Sequence, residues 1–240
     1  MLGIVTIVYN KLSLVKRSIE ATLAMTKPPY IFVLVCNNPP YPGVEKYVKS
    51  LEGRVSHIIF NKKNQGVSKA LFQGFSFCEK RGCKFLAKID DDTVVLSRDW
   101  NTVMMKAFAR FENLGILSAD IDSGKQTGKS ELSQDGNLVI EEFELPCVGG
   151  ACTIYPVEMF YKIGFFKNFG YYGHEDGEFS VRARENNYRT AYLINTKCQH
   201  LGRTKESDPE LDKWKLATHF GKTRKEFRDW LKWKEEKHAL

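Results

Sequence analysis

Nowhere in these 240 residues does an uninterrupted apolar run approach the ~20 residues that a membrane-spanning helix needs. The six cysteines, Cys36, Cys78, Cys83, Cys147, Cys152 and Cys198, are scattered through mostly apolar stretches. No two of them make a Cys-x-x-Cys pair, which argues against zinc held by thiolates. The opening "MLGIVTIVYN" lacks the basic region and long apolar core of a signal peptide and reads as a strand. These absences predict a cytoplasmic protein with reduced thiols. No internal repeat or low-complexity segment is visible, and the length fits one α/β domain better than two.

What is present is ordinary globular composition, 42% hydrophobic and 27% charged, enough for a sizeable core. The net charge of +7 favours anionic partners such as nucleotides, acidic headgroups or nucleic acid, although an excess of lysine also serves solubility alone.

Strand and helix patterns alternate along the first half. "GIVTIVY", "YIFVLVCNN", "RVSHIIF", "CKFLAKI" and "LGILSA" read as strands. The first helix follows Asn10 or Ser13 as cap and carries Leu12, Val15, Ile19 and Leu23 on one face. "NQGVSKALFQGFSFCEKRG" and "RDWNTVMMKAFARFEN" read as two further helices. Near-continuous apolar strands alternating with amphipathic helices predict a mainly parallel, Rossmann-like sheet covered on both faces. From Asp120 to Leu145 the chain turns polar and glycine-bearing, with room for one hairpin; such an insert is usually a functional lid or a disordered loop. Order returns at "CVGGACTIYP". The segment from Pro209 reads as a basic helical tail with Trp214, Phe220, Phe227, Trp230 and Leu231 among lysines and arginines.

"CKFLAKI" delivers three consecutive aspartates, Asp90, Asp91 and Asp92, to the carboxyl end of a strand, where ligands of such sheets bind. Like charges in a row repel, and a hard divalent cation, Mg²⁺ or Mn²⁺, relieves them through oxygen ligands. Its natural partner is a diphosphate. Asp runs also occur in solvated turns, but apolar sequence on both sides disfavours that reading here.

The ordered series "VTIVYN", "NKKNQGVSKALFQGF", "KIDDDT", "GGACTIYPVEMFYKIGFF", "YYGHEDGEFSVRAR" and "QHLG" resembles glycosyltransferase family 2 and its GT-A-fold relatives over roughly residues 3 to 203. "GHEDGEFSVR" also looks like the Gly-x-Glu-Asp stretch of the β-1,4-galactosyltransferases, where polypeptide N-acetylgalactosaminyltransferases carry Glu-Asn. The resemblance implies a metal-dependent transferase using a nucleotide diphosphate sugar, with UDP the first candidate. It makes Asp92 a direct metal ligand and puts Asp90 near the ribose and the metal. Asp91 would orient the donor, and His200 would complete the metal site. A lone histidine is otherwise more often an ordinary surface or core residue. Asp176 would be the base that takes the acceptor proton, with Glu175 as runner-up; both acids also complement a helix N-terminus. Asp rather than Asn at position 176 implies inversion at the anomeric carbon. His174, beside them, would position acceptor or phosphate, or is an ordinary loop residue.

By the same resemblance Thr6, Val8 and Tyr9 flank the nucleoside through backbone groups. The second strand of the family commonly ends in an Asp that contacts uracil. Here Asn37 and Asn38 stand instead, and an amide both donates and accepts. Asn64 and Gly66 open the helix facing the donor, where an Asn cap is also an adequate structural account. Gly149 and Gly150 allow close approach to the sugar or form a strand bulge.

The expected organisation is one GT-A domain, with residues 1–119 binding nucleotide sugar, 120–205 serving acceptor and catalysis, and 206–240 as the basic tail. The acceptor implied is a saccharide or lipid-linked glycan. Hydroxylated bases of DNA are the alternative that the basic tail allows, and peripheral membrane contact is compatible with it. A non-catalytic nucleotide-sugar or glycan-binding domain would be marked by a lost acid, and none is lost. A nucleotidyltransferase would need a Gly-rich loop after the first strand, and "YNKLSLVKRS" has no glycine.

Overall fold

Strand β1 (Leu2–Val8) sends Leu2, Ile4 and Val8 into one apolar cluster and Val5 into another, as the two-residue period of a strand requires. Strand β2 (Tyr30–Cys36) does the same, with Phe32, Leu34 and Cys36 on one face and Ile31, Val33 and Val35 on the other. Both faces are therefore covered, which explains why these strands read as continuous apolar runs. The coordinates are a computed structural model that describes residues 1–121, 128–142, 148–168 and 172–203, together with Pro209 and Lys213. The helical tail expected after Pro209 lies outside the described residues.

Helices α1 (Leu12–Met25), α2 (Val44–Lys49) and α4 (Trp100–Arg110) cover the first face through Val15, Ile19, Val44, Val48, Trp100 and Met104. Helices α3 (Val67–Glu79), α5 (Val157–Ile163) and α6 (Glu175–Glu185) cover the second. There Phe75, Tyr155, Phe160, Phe166 and Phe179 form one aromatic cluster, with Phe166 and Phe179 centroids 4.5 Å apart. That cluster ties the helix bearing Asn64 and Gly66 at its start to the helix bearing Glu175 and Asp176. Glu178, fully buried in α6, is held by Arg182 at 2.8 and 2.7 Å, an ion pair inside the same layer.

The remaining strands are β3 (His57–Phe60), β4 (Phe85–Ile89), β5 (Thr93–Val95), β6 (Leu114–Ile121), β7 (Lys129–Leu132), β8 (Val139–Glu142), β9 (Cys152–Pro156) and β10 (Arg189–His200). The sheet order is β3-β2-β1-β4-β9-β6-β10-β8-β7, with β5 on β10. Strands β3, β2, β1 and β4 run parallel, as do β6 and β10, while β9 is antiparallel between β4 and β6. The carboxyl ends of β1, β2, β4, β6 and β10 and the start of β9 consequently share one edge of the sheet.

Two local expectations change. Neither Asn10 nor Ser13 caps α1: the helix starts after Lys11 without a side-chain cap, because the Asn10 amide is engaged elsewhere. The polar insert does hold a hairpin, β7–β8, but β8 also pairs with β10, so that part of the insert extends the sheet.

Candidate functional site

The shared edge opens into a cleft of about 320 Å³ lined by residues from nearly every strand end and from the start of α6. Its floor is the aspartate triplet. Asp90 N–H donates to Ala151 O at 2.9 Å, and the Asp90 carbonyl accepts from Ser18 Oγ at 2.9 Å, so the turn is fixed from both sides.

The three carboxylates have different environments. Asp91 is buried and turned toward the β1–α1 junction, where it accepts from Tyr9 N–H (2.6 Å), Asn10 N–H (2.7 Å) and Asn10 Nδ2 (2.8 Å). Burial, and next the Asp92 charge, push its carboxyl up to about 6 despite these donors. Asp91 thus holds the loop that lines the cleft and does not present a bare carboxylate to a ligand. Asp92, also buried, accepts from Asn10 Nδ2 at 3.3 Å and lies 3.0 Å from His200 Nε2. One ligand atom each of Asp90, Asp92 and His200 falls within 4.8 Å of the others. Two carboxylates and an imidazole suit Mn²⁺ or Mg²⁺, with Mn²⁺ better matched to the nitrogen ligand. His200 gets there as the last residue of β10, whose end bulges against β6 and pairs with β5, His200 opposite Thr93. Gly202 closes this corner. A Cβ there would clash with Asp92 Oδ2, so glycine is the residue that leaves this carboxylate in place beside His200.

Across the cleft, α6 starts with Glu175 and Asp176 after His174, a non-glycine residue in the left-handed region at φ 67°. Asp176 accepts from Gly150 N–H (3.1 Å) and Gly177 N–H (2.8 Å), which fixes its orientation toward the β9 entry. Glu175 is buried and lies 3.4 Å from Lys88 Nζ, which also approaches Asp90 at 3.2 Å. Burial alone would lower the Lys88 pKa, but Asp90, Glu175 and Asp176 outweigh it and hold the ammonium well above its ordinary value. The Glu175 carboxyl is raised, first by burial and then by Asp176, with Lys88 opposing. Lys88 therefore links the Asp90 corner to the acid pair.

The opposite end of the cleft is neutral. Asn37, closing β2, donates Nδ2–H to Asn64 Oδ1 at 2.9 Å. Its own Oδ1 accepts from Asn61 Nδ2 and Gln65 N–H, both at 3.0 Å. Asn64 Oδ1 also accepts from Gly66 N–H at 2.8 Å, one residue before α3 begins. The expectation that an amide here both donates and accepts is narrowed: both oxygens are taken inside the protein.

Of the residues expected at the site, Tyr9, Asn37, Asn64, Asp90, Asp91, Asp92, Gly149, Gly150, Glu175, Asp176 and His200 line this one cleft. Thr6 and Val8 do not; their side chains are fully buried in β1, and Ile7 is the residue of that strand that lines the cleft. Asn38 is exposed in the left-handed region and also stays outside, and Gly66 contributes its N–H to Asn64. Lys88, Asn10 and Gly202 were not anticipated. The one signal for Lys88 was a lysine inside an otherwise apolar strand, which needs anionic partners when buried.

Comparison with known proteins gives the following. The family model for glycosyl transferase family 2 matches residues 3–164. No curated protein matches the chain in sequence. Among solved structures, the mannosyltransferase PcManGT from Pyrobaculum calidifontis, in complex with GDP-Man and Mn²⁺, is similar at TM-score 0.66 and 13% identity over 95% of this chain and 64% of that one. GalNAc-T7 with UDP, GalNAc and Mn²⁺ is similar at TM-score 0.65 and 12% identity over 86% and 44%. Residues 1–349 of S. aureus TarS with UDP-GlcNAc are similar at TM-score 0.58 and 15% identity over 85% and 61%. This chain thus spans less than two thirds of each. No helix among the described residues is long and apolar enough to cross a membrane.

Proposed function

The chain belongs to glycosyl transferase family 2, and from that premise we propose that it moves a sugar from a nucleoside diphosphate sugar to an acceptor hydroxyl with inversion at the anomeric carbon. The observation that carries this reading is the pairing, across one cleft, of the Asp90–Asp92–His200 group with the Asp176 carboxylate. Asp92 and His200, with Asp90, would hold Mn²⁺ or Mg²⁺. When bound, the cation stabilises the charge that develops on the departing diphosphate.

The protein groups divide the remaining work. Asp176, fixed by Gly150 and Gly177, takes the proton of the attacking hydroxyl. Glu175 is paired with Lys88 and is the less available of the two acids. Asp91 positions Tyr9 and Asn10 against the nucleoside. Inversion follows from a base placed opposite the leaving group, in a single displacement.

Uridine nucleotides in two of the similar structures and GDP-Man in a third support a nucleotide-sugar donor. The acceptor we favour is a saccharide hydroxyl, free or on a lipid-linked glycan. The five described cysteines are buried and free, which fits a reducing compartment such as the cytosol. Incubation with a panel of nucleotide sugars and Mn²⁺ tests the reading. One donor should be hydrolysed slowly and, with acceptor, give a product of inverted configuration by NMR coupling constants. A product of retained configuration contradicts the single-displacement mechanism.

A further inference from the structure

We infer that Ser118, Thr153 and Tyr192, three side chains that do not line the cleft, are positioning residues: they clamp the Gly149 backbone and so aim the Gly150 N–H that holds Asp176 in place as the base. The inference rests on the reading of Asp176 given above and deepens it.

The Asp176 carboxylate is tied to the sheet through a single hydrogen bond. Its Oδ1 accepts from Gly177 N–H in its own helix, and its Oδ2 accepts from Gly150 N–H at 3.1 Å. Gly149 and Gly150 precede β9 and belong to no strand. Two glycines in succession have the widest choice of backbone dihedrals, so local sterics do not fix the direction of that N–H. A Cβ at Gly150 would lie 2.7 Å from Lys88 Nζ, so no side chain is available at this position to restrict the turn.

The clamp supplies the missing restriction. Gly149 N–H donates to Tyr192 Oη at 2.7 Å, and Gly149 O accepts from Ser118 Oγ at 2.9 Å and Thr153 Oγ1 at 3.1 Å. Holding both the N–H and the C=O of one residue sets both of its soft dihedrals. The peptide between Gly149 and Gly150 is planar and trans, so when its C=O points at the two hydroxyls its N–H points the opposite way. That way lies Asp176 Oδ2. Ser118 of β6 and Thr153 of β9 are cross-strand partners with both side chains fully buried, and Tyr192 comes from β10 on the other side of β6.

Each hydroxyl has one hydrogen, and Ser118 Oγ also lies 3.0 Å from Cys152 O and 3.1 Å from Thr153 Oγ1. The two hydrogens can be shared in several ways, and all but one of these leave a hydrogen on Gly149 O. Either hydroxyl can therefore replace the other, and both must go before the clamp opens. The freed peptide then turns, the Gly150 N–H leaves Asp176, and the carboxylate keeps only the bond from Gly177 in its own helix. A misplaced base lowers the rate of the chemical step. Nucleotide and cation affinity should not change, because Asp92 is held by Asn10 and His200.

NMR and kinetics together test the inference. Gly149-Gly150 is the one Gly-Gly pair in the sequence, so labelling with 1-¹³C,¹⁵N-glycine singles out the Gly150 amide by its coupling to the preceding carbonyl carbon. The rate is that of hydrolysis, with water as acceptor, of the nucleotide sugar of the panel that the wild type turns over with Mn²⁺. In Ser118→Ala/Thr153→Val, the Gly150 amide proton should move upfield, as it should in Asp176→Asn. The same variant should lose about 10–100-fold in kcat, with KM unchanged. Ser118→Ala/Thr153→Ser, which returns one hydroxyl, should restore most of both signals; a defect of packing alone would not move the Gly150 amide in this way. If the double variant gives no cooperative thermal melt, Tyr192→Phe carries the test, since it keeps the ring and removes the acceptor of Gly149 N–H. An unmoved Gly150 amide or an unchanged kcat in the folded variant overturns the inference and leaves the base reading standing. If Asp176→Asn hydrolyses the sugar nucleotide as fast as wild type, or no sugar nucleotide is turned over, the base reading falls as well.

Discussion

Lys88 and Glu175 face each other at 3.4 Å with both side chains only 8% exposed, in the strip of protein that separates the Asp90–Asp92–His200 group from the proposed base. A buried pair of this kind adds little net stability over an apolar substitute, but losing one member leaves the other uncompensated. Lys88→Met should therefore destabilise the protein by about 3–5 kcal/mol. Adding Glu175→Gln to that variant should recover part of the loss. Urea unfolding of the two variants measures both. Additive losses would mean that the two side chains do not compensate each other.

Asp91 gives a pH signature. Its carboxyl is pushed from 3.8 up to about 6 in the folded protein, first by burial and then by Asp92. Between those values the folded state binds more protons than the unfolded state, so stability falls as pH rises through that window. A shift of this size corresponds to about 3 kcal/mol. With chelator present, the unfolding free energy of Asp91→Asn relative to wild type should rise by that order between pH 4 and pH 7. A pH-independent difference would remove the group from the account.

The acid pair separates by kinetics. Asp176→Asn keeps size and shape but cannot take a proton, so transfer should fall by about two to four orders of magnitude with donor binding retained. Glu175→Gln should cost less. If the Glu175 change is the more severe, the roles of the two acids are reversed.

Gly202 offers a test of the metal corner that removes no ligand. The Cβ of Gly202→Ala would clash with Asp92 Oδ2. Displacing that carboxylate should weaken Mn²⁺ binding about 10–100-fold, the range of supporting-residue mutations at metal sites. Unchanged Mn²⁺ affinity would show that Asp92 is not a ligand of the cation.

Much of this arrangement was legible because it follows from periodicity and from residue types that a core excludes. The apolar runs of β1, β2, β4 and β6 and the amphipathic α1, α3 and α4 gave the layered sheet, and three aspartates at a strand end gave the cleft. Elements fixed by distant partners were not legible. The three-residue β5 exists because β10 pairs with it, and the six-residue α2 is too short to show a period. Asn10 looked like a helix cap because a sequence shows the neighbours of a residue along the chain. Its partners, Asp91 and Asp92, are some eighty positions away. The direction of the Asn37 amide is likewise set by Gln65 and Asn61, which no local pattern reveals.

The most direct test of the central claim is calorimetric titration with CDP and UDP, with Mn²⁺ and with chelator, on wild type and Asp92→Ala. Asp92 lies 3.0 Å from His200 and within the same small group as Asp90, so the cation and the diphosphate should bind together or not at all. Binding to wild type should require Mn²⁺ and should vanish in Asp92→Ala, whose melting temperature without metal should match or exceed that of wild type because one of the crowded carboxylates is gone. Metal-independent nucleotide binding, or Mn²⁺-dependent affinity unchanged in Asp92→Ala, would contradict the account.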